Sequence, residues 1–147
     1  MPFFLSNFRE KDLFFVFRKM EVIYLHMANY TKDQELINRW KNVILFLSDK
    51  FSEGADIDTE GVLYLIGLQE YGKPHEQFKK EDNVNLIHIG LCTVLEPFGY
   101  YRFDFYDDQG WPHFELVEAL PNLKPGEQSV LVKNAIVDYF VRQGVIS

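Results

Sequence analysis

Asp56, Asp58 and Glu60 stand on alternate positions with Gly61 directly behind them, which is how a calcium loop begins. In such a loop the first, third and fifth positions bring oxygen ligands and the sixth is glycine. The twelfth is a glutamate that grips the ion with both oxygens. Counted from Asp56, the twelfth residue is Gly67, and the next carboxylate, Glu70, comes three positions late. Without it the site loses two oxygens and a charge. The same residues suit a helix start. Asp58 is a good N-cap, Ile57 and Val62 have the spacing of a hydrophobic staple, and each carboxylate there is favoured by about 0.3–1 kcal/mol. Capping is therefore expected here, with no metal and no cofactor.

The four histidines are the next place to look for chemistry. His26 sits between Leu25 and Met27 on a helical pattern and reads as structural. His75 stands beside Glu76 in a polar loop without a spaced metal partner. His88 and Cys92 are four apart and share a helix face, which is half of a zinc site that nothing nearby completes. His113 with Asp104 is the strongest pair, because a carboxylate can orient and charge an imidazole. No nucleophile accompanies it, so a cross-strand ion pair is expected. The chain has no glycine-rich phosphate loop, no His-Glu-x-x-His and no Gly-x-Ser-x-Gly. No catalytic residue is assigned, and the chain is not expected to be an enzyme.

The elements that position these residues follow from hydrophobic spacing. A first helix is predicted to start after Asn7, capped by Asn7 and Glu10, and to run to about Asn29, with Leu13, Val16, Phe17, Met20, Ile23, Tyr24 and Met27 on a broad apolar face. Phe15, Val22 and Leu25 fall among the polar residues opposite, so this helix is either central or buried a second time by a partner. Thr31 and Gln34 form a capping box for a second helix reaching about Phe51, packed antiparallel on the first. A third helix runs from Thr59 to Tyr71 and ends at Gly72, with Gly67 marking close contact with another helix. The fourth spans about Glu81 to Glu96, with Val84, Ile87, Leu91 and Leu95 as its stripe. The fifth spans about Gly126 to Arg142, with Gly144 as the left-handed residue past its end and Val145 folding back on Phe140.

Between the fourth and fifth helices lies a β-hairpin. Tyr101, Phe103 and Phe105 alternate with Arg102 and Asp104, and Pro112, Phe114 and Leu116 alternate with His113 and Glu115. A four-residue loop, Asp107 to Gly110, pairs Phe103 with Phe114, Tyr101 with Leu116, Arg102 with Glu115 and Asp104 with His113. The expected fold is mainly α in the α+β class, five helices and one antiparallel hairpin in a single domain over 1–147, since no Ser/Gly/Pro-rich linker divides the chain. Helix, loop, helix and hairpin in that order resembles the latter half of a winged helix. In a DNA-binding version the wing would carry basic residues to phosphates. Here its tip reads Asp107, Asp108, so a wing of this kind implies contact with protein.

Charge and composition narrow the function classes. The chain has 147 residues, 14 of them Phe and 8 Tyr, and a net charge of −7. Residues 51–123 carry 4 basic and 14 acidic side chains, a local excess that repels nucleic acid. Cys92 is the lone cysteine, so no internal disulfide forms and a reducing compartment fits. The N-terminus lacks signal-peptide character, and Arg18, Lys19 and Glu21 interrupt the longest apolar run, so a cytoplasmic protein off the membrane is expected. The functional expectation is protein–protein contact, as a homodimer or as a subunit of a complex. Phe15, Val22 and Leu25 would be the apolar anchor, Trp111 an exposed aromatic, and Asp107 and Asp108 a charged rim. Two alternatives are an immunity- or inhibitor-type protein that masks a basic enzyme surface, and a small-ligand binder using the Asp104–His113 face.

Overall fold

A computed structural model describes residues 32–72 and 78–147. The chain divides into two compact units between Ile37 and Asn38. Of the first, the described part is the helical stretch 32–37; all packing below lies within the second. The expected first helix, with Phe15, Val22, Leu25 and His26, lies outside the described residues, as do Thr31 and His75.

Four α-helices and one hairpin make up the described chain. Helix α1 covers residues 32–51, α2 Thr59–Tyr71, α3 Lys80–Leu95 and α4 Pro125–Arg142. A 3-10 turn, Glu96–Phe98, leads from α3 into strands β1, Tyr101–Tyr106, and β2, Pro112–Leu116. The architecture is mainly helical with one two-stranded antiparallel sheet, as the α+β expectation requires.

Local chemistry sets the ends of these elements. The Asp58 carboxylate accepts the Gly61 N–H at 2.7 Å, so the residues of the apparent calcium loop cap α2. Gly72 ends α2 with φ 67°, a left-handed value that costs glycine nothing. At the start of α3 the Lys79 N–H donates to Asp82 Oδ2 at 2.8 Å. At the start of α4 the Lys124 N–H donates to Glu127 Oε2 at 3.2 Å, with Pro125 in the first turn. Helix α4 closes in a Schellman motif: Val145 N reaches Phe140 O and Gly144 N reaches Val141 O, both at 3.0 Å.

The core is built on α2 and α3. Val62, Leu63 and Ile66 face Leu86, Ile89, Cys92 and Leu95, with Val43 and Leu47 of α1 and Ile136 and Phe140 of α4 completing it. Gly67 lies so close to α3 that a Cβ there would overlap the Leu86 carbonyl. Gly90 makes the reciprocal contact, its absent Cβ being replaced by the Leu63 carbonyl of α2. Two glycines thus let the backbones meet. This corrects the expected stripe on the fourth helix: Leu95 is buried and Ile87 and Leu91 are half-buried, but Val84 is 64% exposed. Gly90 sets the contact face, so Leu86 and Ile89 point inward.

Candidate functional site

The hairpin begins in the expected register and then departs from it. Tyr101 pairs with Leu116, Arg102 with Glu115 and Phe103 with Phe114. Beyond Phe103 the strands slip by one residue, so that Phe105 faces His113 and Tyr106 faces Pro112. The turn supplies the reason. Asp107 N donates to Trp111 O at 3.0 Å and Gly110 N to Asp107 O at 2.9 Å, with Gly110 at φ 84°. This is a three-residue connection with a left-handed glycine, one residue shorter than the expected loop. The short turn and the apolar alternation demand registers one step apart, and a bulge at Asp104 reconciles them.

That bulge undoes the expected Asp104–His113 pair. His113 Nε2 instead meets Asp107 Oδ2 at 2.9 Å, and its ring stacks on Phe105 with centroids 4.7 Å apart and planes within 6°. Asp107 Oδ1 also accepts the N–H groups of Gln109 (3.0 Å) and Trp111 (2.9 Å). Asp107 is therefore the organiser of the tip as well as a surface charge. Its hydrogen bond to His113, then that to Trp111 and the other contacts, hold its carboxyl below the usual aspartate range. Asp108, next along the turn, is exposed.

Trp111, expected as an exposed aromatic, is drawn partly inward. It is half-buried, 4.3 Å from the Tyr71 ring and 6.2 Å from Phe78, which in turn lies 5.9 Å from Tyr71. The three rings fasten the hairpin tip to the end of α2. Nothing in the spacing of Tyr71, Phe78 and Trp111 along the chain signals this cluster.

The exposed apolar surface of the hairpin lies elsewhere. The observed register puts Tyr101, Phe103 and Tyr106 on one face with Pro112, Phe114 and Leu116. Phe103 touches Tyr106 (4.9 Å) and Phe114 (5.9 Å). Pro112 is buried and Phe114 half-buried, yet Tyr106 is 61% and Leu116 58% exposed. Val117 and Leu120, in the segment that follows, are exposed as well. Residues 101–118 carry five carboxylates, Asp104, Asp107, Asp108, Glu115 and Glu118, against one arginine. That arginine, Arg102, is taken up by Glu115 across the strands.

Two concavities accompany this surface. One, of about 320 Å³, lies between α3 and the hairpin tip and is lined by Asp82, Asn85, His88, Asp107, Gln109 and His113. The other, of about 290 Å³, is apolar and lies among α1, α2 and α4, with Phe46, Phe51, Leu65 and Phe140 in its wall. In the first, His88 Nε2 is 3.5 Å from Cys92 Sγ. Burial pushes that thiol up to about 12, so it is protonated at neutral pH and no nucleophile. Among the described residues no three His, Cys, Asp or Glu side chains group as metal ligands would. Also among them, no helix is long and apolar enough to cross a membrane. No family model, curated protein or solved structure matches this chain.

Proposed function

We propose that this protein works by binding another protein through its β-hairpin, and that the partner's surface is basic. The observation that carries this is the face of Phe103, Tyr106 and Leu116, held outward on a hairpin whose tip is locked by Asp107 and Trp111. Large apolar side chains cost about 1.5–3 kcal/mol each when left in water instead of buried, and here several are contiguous. The acidic surround supplies the selection. It steers a basic surface toward the hairpin and sets two copies of the chain against each other. The order α2, α3, hairpin is that of a winged helix, and a wing with this charge suits protein contact better than a phosphate backbone. Subunit of a complex, or inhibitor of a basic enzyme, both fall within this proposal.

The test has two arms. Light scattering of the purified chain, where a monomer is expected, separates a foreign partner from self-association. Capture from the native host at rising salt should yield a basic protein whose binding weakens steeply with ionic strength. It should also be lost in a Tyr106→Ser/Leu116→Ser variant with unchanged helical content. Capture that ignores both salt and the hairpin substitutions would refute the proposal.

A second function has one observation behind it, the groove lined by His88 and His113 beside two carboxylates. It would take a small polar or cationic ligand. It ranks below protein contact because ligand pockets are mostly apolar, whereas this groove is lined mainly by polar side chains and is at the small end of their size range. Loss of ligand binding in His88→Gln, with the hairpin unchanged, would favour it.

A further inference from the structure

We propose that the partner joins the hairpin as an added strand along β2, an inference that rests on the protein-contact function proposed above. The two edges of this small sheet are not equivalent. Val117 N donates to Tyr100 O at 2.9 Å, which makes these residues a hydrogen-bonded pair. Alternation along an antiparallel ladder then makes Arg102–Glu115 the next bonded pair and turns the amides of Tyr101, Phe103, Phe114 and Leu116 outward. On the β1 side the Phe103 amide, next outward after that of Tyr101, is occupied: Phe103 N donates to Glu96 Oε1 at 3.3 Å, from the 3-10 turn beside it. A carboxylate seated on that amide blocks the edge. On the β2 side the amides of Phe114 and Leu116 have no hydrogen-bond partner among the described residues. Pro112, which has no N–H, marks where that edge stops.

Phe114 and Leu116 are also the residues whose side chains lie on the apolar face. One extended segment pairing here would satisfy two donors and two acceptors and place alternate side chains beside Phe103, Phe114 and Leu116. This is recognition by strand addition, in which backbone bonds provide binding and alternate pockets provide selection. Charge identifies the occupant. A second copy using both amides of its own β2 would set Phe114 against Leu116 and lay Glu115 directly opposite Glu115. Like charges so placed repel. An extended segment with lysine or arginine alternating with apolar residues meets Glu115 and Glu118 favourably instead.

The probe is a short synthetic peptide alternating Lys and Val, with a counterpart in which the valines are replaced by proline. Amide hydrogen exchange should show Phe114 and Leu116 exchanging freely in the full chain and slowing when the first peptide is added but not the second. Leu116→Pro removes one outward N–H without touching a ladder bond, so it should weaken the peptide by about tenfold or more. Leu116→Ala, which keeps the amide, should weaken it less. Should Leu116→Pro fail to fold, the exchange pattern of the unaltered chain decides. Full binding by Leu116→Pro, or protection at Phe103 in place of Phe114 and Leu116, would overturn strand addition. Peptide binding that survives Leu116→Pro but is lost in Phe103→Ser would overturn it while leaving the protein-contact function standing.

Discussion

Asp107 does more than any other single side chain in the hairpin. It receives three hydrogen bonds and so links the turn, His113 and the amide of Trp111. Because its carboxyl is held below the ordinary range, its contribution is present above the ordinary aspartate midpoint. That contribution is lost as pH falls through the lowered value. Carboxyl-detected NMR should place the Asp107 midpoint below that of an unperturbed aspartate, and His113→Ala should move it back upward. An unmoved midpoint would remove His113 as the principal cause. Cys92 offers a second residue-level check. Fully buried, with its thiol pushed up to about 12, it should resist a thiol reagent in the native protein and react on unfolding. Fast labelling without denaturant would contradict the packing around α3. Asp58 as cap was readable from its residue type and from the staple spacing of Ile57 and Val62. The partner of His113 was not, because it depends on a one-residue difference in turn length that apolar alternation does not encode.

At the scale of elements, the contact of α2 with α3 turns on two glycines. Alanine in a helix normally exceeds glycine in stability by about 1 kcal/mol. At Gly67 and Gly90 the sign should reverse, because each new methyl would meet a carbonyl of the other helix, and overpacking of this kind costs about 1–3 kcal/mol. Chemical denaturation of Gly67→Ala and Gly90→Ala measures this; stabilisation by either would mean the helices are farther apart. The ends of α2, α3 and α4 were legible to within a residue or two, since Asp58, Gly72 and Gly144 are end residues with a mechanism and Pro125 suits a first turn. The buried face of α3 was not. Val84 begins a regular apolar stripe, but close approach at Gly90 rotates Leu86 and Ile89 inward and leaves Val84 in solvent. Two glycines facing each other were visible in the chain only one at a time. Tyr139, whose hydroxyl donates to Glu70 at 3.0 Å, ties α4 to α2 in a way that spacing along either helix could not announce. Burial, with Glu70 beside it, pushes that phenol upward, so it stays protonated as the donor.

At the scale of the molecule, an acidic, aromatic hairpin stands on a helical support. Composition showed the acidity and the excess of aromatic residues, the two features on which the proposal of protein contact rests. Which aromatics stay outside was decided by the turn: Trp111 is drawn onto Tyr71 and Phe78, and Tyr106 and Leu116 are left facing water. The most direct test places a photo-reactive benzophenone amino acid at Tyr106, and separately at Leu45 of α1, which is similarly exposed at 66%. Each protein is then irradiated inside the cells that make it. Contact through the hairpin predicts one discrete adduct with a basic protein from position 106 and none from position 45. No adduct at 106, or the same adducts from both positions, would contradict it.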